Sequence, residues 1–137
     1  APIPAGNYVP YVITNNLVFI SGQLPFKKGE IPITGIVGDT VNIEDAIEMA
    51  KLCALALVSQ VKSACNGDLN KVVRVVKLGG FVASLPSFTA QPTIINGASD
   101  IMVKIFGDKG KHSRFAVGVS SLPLNAPVEI EGIFEIK

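Results

Sequence analysis

Two stretches of the chain repeat apolar residues at helical spacing and are predicted to be helices. The first covers 43–64, where the apolar positions fall on one helical face: Ile43, Ile47, Ala50, Ala54, Leu57, Val61 and Ala64. Asn42 is a candidate N-cap, and Asn66-Gly67 provides the stop. The second runs from Pro92, a residue favoured in a first turn, to Phe106. Each predicted helix has an apolar face that must pack against another element.

Five further stretches are rich in β-branched and aromatic residues and predict strands at 12–14, 17–23, 72–83, 114–120 and 128–136. Asn15-Asn16 predicts a hairpin between the first two, because Asn tolerates the left-handed conformation of a tight turn. Gly79-Gly80 predicts a bulge inside the third strand. The order is ββαβαββ, so we expect one α+β domain over 1–137. Its mixed sheet would carry both helices on one face.

The composition indicates that the second face of this sheet is also buried. Hydrophobic residues make up 48% of the chain, charged residues 17%, and the mean hydropathy is +0.45. A membrane span does not explain these values, since the longest apolar run, 49–61, is interrupted by Lys51 and Gln60 and is too short to cross a bilayer. Burial between subunits does explain them, and we expect an oligomer.

Charge and cysteine content exclude several classes of protein. The chain has 12 basic and 11 acidic residues and no basic stripe, which argues against a nucleic-acid partner. Cys53 and Cys65 are twelve residues apart, which is about 18 Å along a helix and beyond the reach of a disulfide, so we expect free thiols in a reducing, cytoplasmic compartment. The N-terminal residues lack a signal-peptide pattern. With one histidine there is no metal-binding constellation, and no cofactor is expected.

Arg114 and Glu129, fifteen residues apart, carry the clearest chemical signal. Arginine is a planar fork that binds a carboxylate through two hydrogen bonds, and glutamate can orient or deprotonate a water. Glu129, Glu131, Ile133 and Glu135 should share one face of the last strand, opposite Val128, Ile130, Phe134 and Ile136. The pattern alone also fits a solvated strand face, and Arg114 also fits a surface ion pair.

Each of the other candidate site residues also has a purely structural interpretation, which the sequence pattern alone favours. Ser21-Gly22 ends a predicted strand and could offer backbone amides and a hydroxyl to a ligand, or form a bulge before a loop. Tyr8 could line a pocket or anchor the N-terminal segment by packing. His112, in the polar loop 107–113, could act in a site or be solvated.

The chain resembles a divergent branch of the RidA (YjgF-like) family of imine deaminases in three segments that follow one another in the family's order. They are 17–25 (LVFISGQLP), 72–82 (VVRVVKLGGFV) and the segment from Arg114 to Glu131. The resemblance implies a chorismate-mutase-like fold, a homotrimer and a site in each intersubunit cleft. It implies that Arg114 binds the substrate carboxylate and Glu129 holds or activates the water. Tyr8, Ser21, Gly22 and the position of Ala116 would line the pocket.

The activity implied by the resemblance is hydrolysis of a 2-imino or enamine acid to a 2-keto acid and ammonia. The chain departs from the deaminases in its second helix, which reads Ile95-Asn96-Gly97-Ala98-Ser99-Asp100 where they carry Asn followed by Tyr. It also has Ala116 where cysteine is common, and a longer loop that brings His112 near Arg114. Non-catalytic binding of a small carboxylate stays open as an alternative. An endoribonuclease or translation inhibitor is disfavoured by the balanced charge.

Overall fold

The computed structural model describes residues 1–137, and its two long helices follow the apolar periodicity. Helix α1 spans Ile43–Ala64 and helix α2 spans Gln91–Phe106, one residue longer at its start than predicted. The Asn42 side chain caps α1 by accepting a hydrogen bond from the Asp45 backbone N–H at 2.8 Å. The chain leaves α1 through Asn66 and Gly67, both at positive φ. The predicted cap and stop of α1 are therefore confirmed.

Five strands form one mixed sheet. They are β1 (Tyr11–Thr14), β2 (Leu17–Gln23), β3 (Val72–Ala83), β4 (Ser113–Val119) and β5 (Val128–Ile136). Their order across the sheet is β1-β2-β5-β3-β4, with β3 and β4 parallel and all other neighbours antiparallel. Asn15 takes positive φ in the predicted hairpin between β1 and β2. The predicted ββαβαββ order is confirmed, with strand ends shifted by at most one residue.

Both helices lie on one face of the sheet, as predicted. Helix α1 packs over β5 and β2, and α2 packs over β3 and β4. The strand side chains that face the helices are buried and form the core with them; they include Val18, Ile20, Val75, Leu78, Ile130 and Phe134. This α+β arrangement leaves the opposite surface of the sheet without a helix.

The predicted bulge at Gly79-Gly80 is wrong. The register of β3 is continuous across both glycines on both sides, and its shifts fall nearer its start, between Val72 and Lys77. The glycines instead allow close packing on each face of the sheet. A Cβ at Gly80 would lie 2.7 Å from Ile95 Cδ1 under α2, and a Cβ at Gly79 would lie 2.6 Å from Phe115 Cζ on the other face.

The uncovered surface, called the open face below, carries a cluster of apolar and aromatic side chains. Paired residues across the strands place its apolar side chains together: Val12, Phe19, Phe81, Phe115, Val117 and Ile133. Phe19 and Val117 are 41% and 42% exposed, and the Phe81 and Phe115 rings meet edge to face at 5.3 Å. The structure contains no helix long and apolar enough to cross a membrane.

Candidate functional site

Glu129 sits on the open face where β5 passes the end of β2. Residues of β5 alternate between the two faces, as predicted, so Glu129, Glu131 and Glu135 point away from the helices. The pairing of β2 with β5 shifts register between Ile20 and Gln23, which confirms the bulge reading of Ser21-Gly22. A Cβ at Gly22 would collide with the Glu129 carboxylate. The glycine therefore leaves the space in which this carboxylate lies.

A shallow pocket surrounds the Glu129 carboxylate, lined by Gly22, Phe81, Leu122, Glu129 and Glu131. Glu129 is half-buried, and neither ion pair of the chain involves it. Burial raises the pKa of its carboxyl above the usual value, and the negative charge of Glu131 raises it further. A carboxyl shifted upward in this way is closer to the proton affinity that general-base chemistry near neutral pH requires.

Ser21 and Tyr8 are tied to the N-terminal segment. The Ser21 hydroxyl donates to the Val9 carbonyl at 2.8 Å, and the Ser21 N–H donates to the Pro10 carbonyl at 3.0 Å. The Tyr8 hydroxyl accepts from the Ala5 N–H at 3.2 Å, and Tyr8 is 49% exposed. Tyr8 and Gly22 line a neighbouring pocket under the first residues of the chain. The segment 1–10 thus lies beside the bulge that accommodates Glu129.

Arg114 lies near the start of β4, the edge strand, and turns towards α2. Its Nη1 donates to the Ser99 hydroxyl at 3.1 Å, and its Nη2 donates to the Pro92 carbonyl at 3.2 Å. Two of the five guanidinium N–H groups are therefore held by α2, and three are left for a ligand. Ala116 follows on the same side of β4, half-buried against the core.

His112 is connected to Arg114 through the side chain of Ser99. This fits the prediction that the loop 107–113 brings His112 near Arg114, although that prediction did not include Ser99. The His112 Nε2 lies 2.9 Å from Ser99 Oγ, and its Nδ1 is hydrogen-bonded to the Gly110 carbonyl. Sequence reasoning missed Ser99. A signal was present, because Ser99 falls between Ile95 and Met102 on the buried side of α2, where a hydroxyl needs a hydrogen-bond partner.

Within one chain the structure does not bring Arg114 and Glu129 together. Arg114 pairs with Leu78 on the helix side, whereas Glu129 pairs with Phe81 on the open face. Their Cα atoms are thus separated by two strand spacings and three residues along the strands, about 14 Å. No group of three or more His, Cys, Asp or Glu side chains is placed to hold a metal ion.

The fold and sequence both match known proteins over nearly the whole chain. In the solved structure of a protein of unknown function from Agrobacterium tumefaciens, the similar chain is 52% identical with a TM-score of 0.95, covering 98% of this chain and 86% of that one. The protein TCP17 of Trypanosoma cruzi is 44% identical over 99% of this chain and 85% of its own length. A 2-iminobutanoate/2-iminopropanoate deaminase of Dermatophagoides farinae is 29% identical over 100% and 91%.

A family model described as "YjgF/chorismate mutase-like, putative endoribonuclease" matches residues 2–134. That match takes in both helices, all five strands except the last two residues of β5, and every candidate site residue from Tyr8 to Glu129. It agrees with the mixed five-stranded sheet and its two helices on one face. The chain therefore belongs to the YjgF/chorismate mutase-like family.

Proposed function

We propose that this protein hydrolyses 2-imino or enamine acids to 2-keto acids and ammonia, at sites formed between copies in a homotrimer. Arg114 binds the substrate carboxylate and Glu129 positions the attacking water. The observation that carries the proposal is the half-buried Glu129 carboxylate, given room by Gly22 and raised in pKa by burial and by Glu131. The similarity to a relative named as a 2-iminobutanoate/2-iminopropanoate deaminase supports the same reaction.

The reaction needs little beyond orientation. The carbon of an imine is already electrophilic, so water adds to it once the two are held together, and the resulting carbinolamine loses ammonia to leave a ketone. Glu129 would take the proton released by the water and return it to the departing nitrogen. Fixing the carboxylate at Arg114 would supply proximity and alignment. This scheme uses no metal and no organic cofactor.

The opposite placement of Arg114 and Glu129 supports a site shared between copies. A small acid cannot bridge two groups on opposite faces of one sheet, about 14 Å apart. The cluster of exposed apolar and aromatic side chains on the open face favours burial against a second copy. In a closed trimer every copy would present its open face and its β4 edge to neighbours, so that each cleft would receive both groups.

A non-catalytic carboxylate-binding protein is the second candidate. The observation that favours it is the anchorage of Arg114 to Ser99 and Pro92, because an oriented guanidinium is sufficient for binding and does not involve Glu129. A nuclease is not proposed, since the 12 basic and 11 acidic residues nearly balance and give little net attraction for a polyanion. The two free cysteines support our proposal of a cytoplasmic location.

Ammonia release from a panel of freshly generated 2-imino acids tests the proposal. Wild type should accelerate hydrolysis, and Glu129→Gln should lower kcat by about 10²-fold or more while its affinity for the keto-acid product changes little. Glu135→Gln is the matched control on the same face of β5 and should retain activity. No acceleration by wild type would favour the carboxylate-binding candidate, whereas equal turnover by wild type and Glu129→Gln would show that Glu129 takes no part in the reaction.

A further inference from the structure

Ser99 connects two side chains that come from different elements. It projects from α2 to a hydroxyl position 3.1 Å from Arg114 Nη1 and 2.9 Å from His112 Nε2. The other ring nitrogen of His112 meets the Gly110 carbonyl. All three side chains are half-buried, so the bonds are partly shielded from competing water.

In this hydrogen-bond network, the donor and acceptor of each bond follow from the groups at the two ends of the network. A carbonyl can only accept, so His112 Nδ1 carries the proton that it donates to Gly110. In the neutral ring Nε2 is then an acceptor and receives the Ser99 hydroxyl proton. The hydroxyl oxygen keeps its lone pairs for Arg114, whose guanidinium can only donate. His112 therefore turns the Ser99 oxygen towards Arg114.

The loop that carries His112 is itself fixed on two sides. A Cβ at Gly110 would collide with the Met102 carbonyl, so only glycine lets the loop lie this close to the end of α2. From the sheet, Arg74 Nη2 donates to the Lys111 carbonyl at 2.7 Å. The backbone just before His112 is thus held by β3 and α2 through contacts that do not involve Arg114.

From this geometry we infer that Ser99 and His112 are positioning residues for the Arg114 guanidinium. Together with the Pro92 carbonyl they hold two guanidinium N–H groups, which fixes the plane of the fork and leaves three N–H groups for a carboxylate. A fork oriented before binding loses less conformational freedom when a carboxylate arrives. The inference rests on the proposed role of Arg114 as the carboxylate anchor and extends it to the residues behind it.

Binding of 2-oxobutanoate by calorimetry tests the inference without turnover. Ser99→Ala and His112→Leu should each weaken binding by about 3- to 10-fold, the effect of losing one ordering hydrogen bond. Ser99→Thr, which keeps the hydroxyl, and His112→Gln, which keeps an acceptor near the Nε2 position, should bind more tightly than those variants. In an Arg114→Ala background, Ser99→Ala should cause no further loss.

The outcomes separate this inference from the proposed function. If Arg114→Ala leaves binding unchanged, or wild type does not bind, the carboxylate anchor is wrong and the inference falls with it. If Arg114→Ala weakens binding but Ser99→Ala and His112→Leu do not, the inference alone is overturned. Because His112 is the single histidine, its ¹⁵N spectrum at mildly alkaline pH gives a second readout. We expect the Nδ1–H tautomer, and a dominant Nε2–H tautomer would contradict the network.

Discussion

The Glu129 carboxylate occupies space that exists because residue 22 has no side chain. The β-bulge at Ser21-Gly22 brings the β2 backbone so close that any Cβ there would meet the carboxylate. Gly22 is not at positive φ, so alanine can adopt its backbone conformation. The requirement for glycine is therefore one of space around Glu129 alone.

We predict that Gly22→Ala impairs turnover without unfolding the protein. The atoms it displaces are the far end of a flexible side chain, which can rotate away, but a misplaced carboxylate should cost about 10²-fold in kcat. The measurement is steady-state imine hydrolysis together with a thermal melt. Gly132→Ala is the control, since its Cβ would face the helix side and meet nothing nearer than 3.2 Å. Full activity in Gly22→Ala would remove Glu129 from the chemical step.

The raised pKa of the Glu129 carboxyl predicts how the stability of the folded protein changes with pH. Because the pKa is higher in the folded chain than in the unfolded one, folding favours the protonated carboxyl and its ionised form costs stability. That cost is absent below the ordinary glutamate value of about 4 and develops as pH rises through the folded pKa. Glu129→Gln should therefore be more stable than wild type at neutral pH and equal to it in acid.

Urea midpoints across this pH range, at one protein concentration, measure the effect. In a Glu131→Gln background the gain from Glu129→Gln should be smaller, because the neighbouring charge has already been removed. A wild type that is the more stable protein at neutral pH would mean that the Glu129 carboxylate gains more from its surroundings than burial costs it.

A site residue could be predicted from the sequence when its role is recognisable from residues close to it along the chain. Glu129 and the bulge at Ser21-Gly22 were accessible from strand alternation and from the resemblance. Ser99 was missed because its role depends on two residues that follow it in sequence and meet it only in space. The separation of Arg114 and Glu129 on opposite faces depends on strand pairing between β3, β4 and β5, which residue spacing does not determine.

At the scale of the elements, the sequence predicted the helices, whose apolar periodicity extends over many residues. It did not predict a feature of β3 that depends on packing against neighbouring elements. The bounds of α1 followed from seven apolar positions, a cap and a stop, all local to the segment. The two glycines of β3 were read as a bulge because a glycine within a strand is often one. Glycine is needed at these two positions because Ile95 packs against one side of the strand and Phe115 against the other, and these contacts exist only in the folded structure.

We predict that Gly80→Ala loosens α2 from the sheet. The added methyl would lie 2.7 Å from the Ile95 side chain, and overpacking of this kind costs about 1–3 kcal/mol. Ile95→Ala alone should cost about 2–5 kcal/mol as a cavity. The double variant should lose less than the sum of the two, because each change relieves the other. Denaturant unfolding measures all three, and strictly additive losses would show that the two residues do not press on each other.

At the scale of the whole molecule, the open face is the feature that the single chain leaves unpacked. It presents Phe19 and Val117 at about two-fifths exposure, together with the aromatic pair Phe81 and Phe115. The hydropathy of +0.45 predicted this surplus of apolar surface but not its position. The position follows from both helices taking the same side of the sheet.

We predict that the protein is a trimer of about three times its 14.4 kDa chain mass, held together through the open face. Phe19→Lys should dissociate it, because a charge would be buried in the interface. Leu55→Lys, at a position on α1 of similar exposure (49% against 41%), should not. Sedimentation equilibrium gives the masses. A wild type that is monomeric at micromolar concentration would defeat both the assembly and the shared site.

Mixing two inactive variants tests the shared site most directly. Arg114→Ala and Glu129→Gln chains, each inactive alone, are combined in equal amounts, unfolded and refolded together, and assayed for imine hydrolysis. If each site takes Arg114 from one copy and Glu129 from its neighbour, about one third of the sites in mixed trimers, and so about one quarter of all sites after random mixing, will have both residues intact, and activity will return to that level. No recovery from mixed trimers of verified composition would contradict a site built from these two residues across two copies.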